Sequence, residues 1–362
     1  MTAIVVLFWV SLCGLVWTHV GYPLFAFLLA RVAPRPVSAA DIEPSVTLIV
    51  TAYNEEAAIA RRLENLLALD YPRDKLQIVV TSDASTDRTE EIALSFPGVE
   101  VVTNPKGGKV AAQDRAVRQT DGDLVAFTDA NATWAADALR RLVRPFADPK
   151  VAYACGRLQL EHPDGSNREG AYWRYELALR AAESRIGSVT GGNGAIYAVR
   201  RSDYVEVDPR YGHDLSFPYL MVQRGRRAVY EPSAKASEKP TPTIGTEYGR
   251  KVRMFEHCWL IVLRGKMLRR LGPVYGLEIV SHRLLRYGSG LLHLVLLATS
   301  IALFTHGVVY AVVLVFQLAL LAAALAGVGL ARYYVLVSWA TNVALVNYLR
   351  RGVPATWEPI RE

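Results

Sequence analysis

The 362-residue sequence has little cysteine and contains long stretches without charge. Its three cysteines, Cys13, Cys155 and Cys258, lie far apart and lack metal-ligand spacing. This scarcity argues against a disulfide framework and a cysteine-based metal site, and it fits a reducing compartment. Charged residues form 21% of the chain and hydrophobic residues 51%, a balance that excludes a disordered polyelectrolyte.

Two stretches, 3–30 and 289–331, contain no Asp, Glu, Lys or Arg. Each exceeds the roughly 20 residues that a helix needs to cross a bilayer. We expect one transmembrane helix within 1–32 and a C-terminal membrane region over 289–362. That region holds spans at about 289–305 and 308–330, and a shorter helix over 333–349 that is interfacial, re-entrant or spanning.

The first basic residues, Arg31 and Arg35, directly follow the first uncharged stretch. The positive-inside rule then predicts a cytoplasmic middle domain in a multi-pass protein of the inner (plasma) membrane. No basic residue precedes this stretch and Gly21-Tyr22-Pro23 interrupts it, which favours a retained helix over a cleaved signal peptide.

The chain carries 41 Lys+Arg against 34 Asp+Glu, a net charge of +7. The surplus is concentrated in 250–286, where basic residues alternate with apolar ones such as Phe255 and Trp259. This pattern is typical of amphipathic helices on an anionic lipid leaflet, although ordinary solvated helices are an alternative. We therefore predict interface helices over 249–288, the lipid bilayer as a partner, and no nucleic acid.

Residues 33–248 alternate between apolar strand patterns and helical patterns. Strands are predicted at 46–51, 76–81, 99–103 and 124–128, and helices at 54–69, 86–95, 109–118 and 135–146. Such alternation predicts an α/β domain with a mostly parallel sheet covered on both faces. After residue 151 the pattern loosens, with a helix at 172–186, a short strand at 195–199, an edge strand at 228–230 and irregular chain over 232–242.

Acidic residues follow three of the predicted strands. Glu55 and Glu56 come after the first, Asp83 and Asp87 after the second, and Asp129 after the fourth. One acid at a strand end is often a helix cap, but three at one sheet edge predict a ligand site. Carboxylates gathered there fit a divalent metal and a phosphorylated ligand.

The chain lacks the motifs of two common nucleotide-binding folds. The turn after the first strand reads TAYNEE (51–56), without the G-x-G-x-x-G of dinucleotide enzymes. GGKV at 107–110 lacks the upstream Gly and the Ser/Thr of a P-loop. Hydride transfer and ATP hydrolysis are therefore disfavoured, while Lys109 can still reach a diphosphate as a point charge.

An ordered set of motifs resembles the family 2 glycosyltransferases of GT-A fold. The motifs are TAYNEE (51–56), SDASTD (82–87), NPKGGK (104–109), TDAN (128–131), GGNGA (191–195), HD (213–214) and RKVR (250–253). With the flanking apolar stretches, the chain resembles the membrane-embedded branch that contains the poly-N-acetylglucosamine, cellulose and hyaluronan synthases. The resemblance covers roughly residues 15–290 and implies a Rossmann-like GT-A domain.

The resemblance also implies roles for individual residues. Asp214 corresponds to the catalytic base, and Asp129 with Asn131 to the metal motif that holds Mg²⁺ or Mn²⁺. The donor nucleotide-sugar pocket would comprise Thr51, Tyr53, Glu55, Asp83, Lys109, Asp129, Arg250 and Arg253. The acceptor side would comprise Gly191, Gly192, Asn193 and His213.

Three departures from the family pattern affect this interpretation. Asn131 replaces the second metal carboxylate, His213 replaces the acid before the base, and no Q-x-x-R-W occurs. We expect an inverting, metal-dependent transferase that uses a UDP-linked sugar in exopolysaccharide or cell-surface glycan synthesis. Single addition to a lipid or lipid-linked glycan, and a non-catalytic binding subunit, are the alternatives; an oligomer or partner subunit remains open.

Overall fold

The computed structural model describes residues 1–160, 170–239 and 243–356 of the chain. It divides into two compact units. The first comprises Met1–Leu28, Thr241–Leu268 and Gly272–Val353, and the second comprises Leu29–Pro240, Arg269–Leu271 and Pro354–Glu362. We call them the helical unit and the sheet unit.

The sheet unit contains one eight-stranded mixed sheet. Its strands are β1 (Val46–Ala52), β2 (Leu76–Asp83), β3 (Val99–Asn104), β4 (Leu124–Asp129), β5 (Thr133–Trp134), β6 (Val151–Leu160), β7 (Tyr197–Arg200) and β8 (Arg227–Glu238). They are ordered β3-β2-β1-β4-β7-β6-β8-β5. The first four are mutually parallel, β7 runs antiparallel to β4 and β6, β6 pairs in parallel with β8, and β5 is antiparallel to β8.

Fourteen α-helices are distributed over the two units within the described chain. They are α1 (Thr2–Val16), α2 (Tyr22–Val32), α3 (Ile59–Leu67), α4 (Thr89–Leu94), α5 (Lys109–Arg118), α6 (Ala138–Val143), α7 (Ala171–Ile186), α8 (His213–Gln223), α9 (Ile244–Arg264), α10 (Pro273–Glu278), α11 (Leu285–Tyr287), α12 (Ser289–Ala302), α13 (Val308–Leu325) and α14 (Gly329–Arg351). Single π-helical segments, Trp17–Gly21 and Ile279–Leu284, connect α1 to α2 and α10 to α11.

Alternating strand residues build a separate core on each face of the sheet, as the period of two requires. Leu48 and Val50 face a core shared with α3 and α6, whereas Ile49 faces a core shared with α5, α7 and α8. Each core is made of fully buried apolar side chains. The predicted α/β domain with helices on both faces is confirmed.

The strands predicted from the sequence were wrong in the second half of the sheet. β6 was missed, and β8 is not a short edge strand, because it runs over twelve residues between β6 and β5. The predicted irregular stretch begins at Pro232, which lies inside β8. The register shifts there from Gly156↔Glu231 to Arg157↔Lys235, so a bulge accommodates a proline that has no N–H to donate.

Within the described residues, two helices are long and apolar enough to cross a membrane, by length and composition. They are Thr2–Val32 and Val308–Leu325; a third span arises only if Pro273–Tyr287 and Ser289–Ala302, bent by 62°, count as one. The expected span at 289–305 is therefore too short alone, since α12 has 14 residues. The basic segment expected from residue 249 belongs to α9, which begins at Ile244.

Helices α9 and α14 of the helical unit are joined by polar contacts. The Trp259 indole N–H donates to the carbonyl of Thr341 at 2.9 Å. The carboxylate of Glu256 accepts from Asn347 at 2.7 Å and pairs with Arg351 at 2.9 Å. Several polar residues of α14 are thereby buried inside the unit rather than exposed.

The last described residues, 354–356, belong to the sheet unit and lie against its Gly108. A Cβ at Gly108 would overlap the carbonyl of Ala355. Gly108 also has φ +89°, which disfavours any other residue. The end of the described chain therefore packs on the residue that precedes α5.

Candidate active site

The ends of β1 and β4 bring the predicted donor residues to one edge of the sheet. β1 and β4 pair in parallel, with Thr51 beside Asp129 in register. Because parallel strands end at the same edge, the loops after both strands open onto a common surface. The N-terminus of α5, with Lys109 as its first residue, lies at this edge too.

Lys109 and Asp129 form an ion pair at the centre of the site. Gly194 closes on this pair, because a Cβ there would lie 3.1 Å from Lys109 Nζ and 3.4 Å from Asp129 Oδ2. Burial lowers the pKa of the Lys109 ammonium, but the carboxylates of Asp129 and Asp214 raise it by more, so the pKa stands above its ordinary value. The lysine is therefore fully charged where a diphosphate could bind.

Asp214 is the second residue of α8 and is partly exposed. Its backbone carbonyl accepts from the N–H of Gly192 at 2.7 Å, which joins the 191–194 loop to the start of α8. The structure thus brings three predicted groups together: the lysine and acid of the donor side, the glycine loop, and the predicted base.

Contacts with the sheet hold the glycine loop, residues 191–194, in place. Asn193 is buried, donates to the carbonyl of Gly156 at 2.8 Å and accepts from the N–H of Ile196 at 3.0 Å. A Cβ at Gly192 would overlap the hydroxyl of Tyr153. The loop is therefore held close to the sheet, and Asn193 acts on it through backbone contacts.

Asp83 fastens the loop that precedes α5. Its carboxylate accepts from the N–H of Gly107 at 2.7 Å and from that of Gly108 at 3.0 Å, and its side chain is 5% exposed. Lys106 Nζ lies 3.7 Å from the same carboxylate. A base or ribose contact for Asp83 stays a prediction; in this structure the carboxylate organises the loop.

The other predicted nucleotide residues surround the end of β1. Lys106 Nζ lies over the Tyr53 ring, 2.8 Å from its centroid, a cation–π contact. The backbone N–H of Glu55 donates to Thr89 Oγ1 at 2.7 Å, which ties the turn after β1 to α4. Thr51 Oγ1 is buried, with no hydrogen-bond partner within the described part of the chain.

Two charged residues that lie near the site were not predicted from the sequence. Arg62 of α3 is 2% exposed and donates to Thr128 Oγ1 at 2.6 Å, directly before Asp129 in the chain. Burial lowers the pKa of Arg62 to about 9, although Asp129 and Glu238 oppose this shift. Glu238, at the end of β8, also raises the pKa of Lys109.

The sequence contains a pattern that indicates burial of Arg62. It occupies the apolar face of α3 at helical spacing with Ile59, Leu63 and Leu66, which are all buried. The neighbouring Arg61 lies off that face and is exposed. Glu238 had no comparable signal, because it falls in the stretch that was predicted to be irregular.

His213 is placed differently from the other predicted acceptor-side residues. Its side chain is 1% exposed and its ring stacks on Phe217, with centroids 4.3 Å apart. Burial lowers its pKa, although Asp114 opposes the shift. The imidazole thus lies in the core behind Asp214.

Arg250 and Arg253 lie on α9, in the helical unit. Arg250 forms a two-point contact with Glu247, at 2.9 and 3.0 Å. Their predicted role in holding the donor stays a prediction.

The residues present fit a divalent cation that takes most of its coordinating atoms from a bound diphosphate and from water rather than from the protein. Within the described residues, no group of three or more His, Cys, Asp or Glu converges on a point. Asp129 offers one carboxylate, which is paired with Lys109, and Asn131 is exposed. Such a set suits Mg²⁺ or Mn²⁺, which take further ligands from phosphate oxygens and water.

Comparisons with known proteins agree with this fold. The family model "Glycosyl transferase family 2" matches residues 47–207. The chain is 34% identical over 208 residues to a beta-monoglucosyldiacylglycerol synthase of Synechocystis sp., which covers 52% of this chain and 42% of the relative. It is 28% identical to an N-acetylglucosaminyltransferase of Rhizobium sp., over 70% of this chain and 61% of the relative. The chain thus spans about half of these relatives' length.

A solved structure matches over nearly the whole chain. It is the mannosyltransferase PcManGT from Pyrobaculum calidifontis in complex with GDP-Man and Mn²⁺, with a TM-score of 0.73 and 25% sequence identity. The match covers 95% of this chain and 99% of that one. The sheet therefore has a GT-A fold. Within that class, residues 47–207 match the family 2 glycosyltransferase model.

Proposed function

We propose that the chain transfers a sugar from a nucleoside-diphosphate sugar to a hydroxyl group of a membrane-anchored acceptor. The observation that carries this proposal is the convergence of Asp129, Lys109 and Asp214 beside the glycine loop. One cation, a metal-ligand carboxylate and a separate carboxylate at a helix start are the groups that such a displacement requires.

The donor side provides charge for the leaving diphosphate. Lys109 is held in its charged form, and Asp83 shapes the backbone loop before it. Asp129 and Asn131 would hold the divalent cation, which stabilises the negative charge that develops on the departing diphosphate. Tyr53, Thr51 and Glu55 line the adjoining end of β1, where the nucleoside would lie.

Asp214 is the base in this proposal. It accepts the proton of the acceptor hydroxyl while that oxygen attacks the anomeric carbon and the bond to the diphosphate breaks. One direct displacement inverts the anomeric centre, so an α-linked donor gives a β-glycoside. Positioned general-base assistance contributes about 10²–10⁴-fold to the rate.

A membrane-anchored acceptor is supported by two observations. Within the described residues, two helices could cross a membrane, and a relative at 34% identity is named for the synthesis of a glycolipid. We propose that the sheet unit lies on the cytoplasmic side of the inner membrane, since Arg31 and Arg35 follow the first span. The contacts that tie α14 to the basic helix α9 support a cytoplasmic C-terminus.

The test is turnover by the purified full-length chain in lipid nanodiscs with Mg²⁺ or Mn²⁺. UDP- and GDP-linked sugars are supplied, because our expectation is UDP whereas the solved relative holds GDP-Man. We expect a single-sugar product that extracts with lipid, and a loss of about 10²–10⁴-fold in Asp214→Asn. A high-molecular-weight product would make the chain a polymer synthase, and full activity in Asp214→Asn would refute the assigned base. Donor binding without turnover of any donor would favour a non-catalytic subunit.

A further inference from the structure

His213 is buried among aromatic rings directly before the proposed base. Its ring stacks on Phe217 at an interplanar angle of 14° and meets Phe127 and Tyr204 edge-on, at 5.7 and 5.8 Å. With 1% of its side chain exposed, it offers no surface to an acceptor. A polar, titratable ring at this depth needs a structural or functional reason, because burying it without partners is costly.

The ring has a polar partner on each side. Tyr197 Oη lies 3.2 Å from Nδ1, and Asp114 Oδ1 lies 3.6 Å from Nε2. The hydroxyl of Tyr204 donates to the same Asp114 oxygen at 2.5 Å. Nδ1 is within hydrogen-bonding distance of the Tyr197 hydroxyl, whereas Nε2 has no hydrogen-bond partner among the described residues and faces Asp114 as a longer electrostatic contact.

Asp114 connects this cluster to the donor side. It lies on α5, five residues after Lys109, whose ammonium pairs with Asp129. Five residues span about 7.5 Å of α-helix. One short rigid helix therefore carries the donor lysine at its start and the partner of His213 further along.

The first turn of α8 lacks a side-chain cap. Its N-cap is Gly212, which has no side chain to cap the helix. Outside the helix itself, Asp214 is held through its carbonyl by Gly192. The ring of His213, one residue earlier, supplies a second fixed point for this turn.

We propose that His213 is a positioning residue that fixes the carboxylate of Asp214 relative to Lys109, through the Asp114–His213 contact between α5 and α8. This inference rests on the proposed function. In this proposal His213 does not make the acceptor contact expected from the sequence but acts through the position of Asp214.

The test compares His213→Phe, Asp114→Asn and their double variant with Met221→Leu, a buried residue of the same helix. His213→Phe keeps a flat ring but loses both polar contacts. We expect kcat of His213→Phe to fall about 10–100-fold, because displacement of a catalytic group by about 1 Å costs on that order. The KM for donor should change less than about twofold, since Lys109 and Asp83 are untouched.

Further outcomes separate positioning from general packing. The double variant should lose no more than the worse single variant, because both break one contact. His213→Gln, which can still reach Asp114, should recover part of the kcat. Met221→Leu should stay within about twofold of the wild type, as volume-conserving core changes usually cost little.

Three results would overturn the inference: a wild-type kcat in His213→Phe, an equal loss in Met221→Leu, or a parallel rise in donor KM. If Asp214→Asn keeps full activity, the proposed function fails instead. Amide hydrogen exchange over 213–217 supplies a readout that needs no turnover. It should accelerate in His213→Phe and Asp114→Asn but not in Met221→Leu, and unchanged exchange in both would also overturn the inference.

Discussion

The substitution Gly192→Ala tests the tight packing of the glycine loop. A Cβ at this position would overlap the hydroxyl of Tyr153 and lie 3.3 Å from Cys155 Cβ. The backbone of Gly192 does not have a positive φ, so alanine meets no conformational penalty there. The expected cost is therefore steric alone.

Both stability and activity should respond to this clash. Overpacking a filled core costs typically about 1–3 kcal/mol. At about 2–4 °C per kcal/mol for a domain of 150–250 residues, the melting temperature should fall by roughly 2–12 °C. Because the Gly192 N–H holds the Asp214 carbonyl at 2.7 Å, a displaced loop also moves the base. We expect kcat to fall about 10–100-fold.

A double-mutant cycle isolates the cause. Tyr153→Phe removes the overlapping hydroxyl and should by itself change stability by about 1 kcal/mol or less. Combined with Gly192→Ala, it should restore much of the melting temperature and kcat, although the ring carbon at 3.1 Å keeps some strain.

Thermal unfolding by circular dichroism and transfer kinetics in nanodiscs measure both effects. Gly272→Ala is the matched control, because a Cβ there would meet no atom of the described chain within 4 Å. Wild-type behaviour of Gly192→Ala, or a double variant no better than Gly192→Ala alone, would refute the packing argument.

Three further predictions concern charged and titratable side chains in the site and in the core beside it. Burial lowers the folded-state pKa of His213 below its ordinary 6.5, although Asp114 and Asp214 oppose the shift and Lys109 adds to it. The stability that neutral His213 contributes is therefore fully present above about pH 6.5 and is lost as pH falls through the folded-state pKa. Between pH 5 and 8, the free energy of unfolding should therefore vary less with pH in His213→Phe than in the wild type. Arg62→Met should lower the free energy of unfolding by roughly 1–3 kcal/mol, because the buried Thr128 hydroxyl loses its donor; denaturant titration measures this, and an unchanged midpoint would contradict it. Asp83→Asn should weaken donor binding by about tenfold in calorimetry, since it weakens the charge-assisted bonds to the loop before Lys109, whereas unchanged affinity would limit Asp83 to a dispensable contact.

The gathering of acidic residues at one sheet edge could be predicted because it depends on local patterns. Glu55, Asp83 and Asp129 each follow or end an apolar strand, and parallel strands bring such residues to one edge. The predicted bounds of α5, 109–118, are those observed. These inferences need only periodicity and the geometry of a parallel sheet.

Long-range features of the site could not be found in this way. The partners of His213 lie on α5, on β7 and in the segment after β7, and no sequence spacing links them. β8 was broken in the sequence reading because Pro232 is typical of irregular chain. Only its pairing with β6 shows that a bulge takes up the proline. Tertiary pairing, not local preference, decides both cases.

The contact of Ala355 with Gly108 has a consequence for biosynthesis. The sheet unit is discontinuous in the chain, since its last described segment comes after every helix of the helical unit. During translation, all eight described strands have been made once residue 238 is complete, whereas the residue that contacts Gly108 comes only with Ala355. A ribosome stalled in α13 would thus carry all the strands of the sheet, while the loop before α5 would lack its contact with Ala355. The same holds for a fragment ending at residue 239 and for a fusion that pulls the C-terminus away.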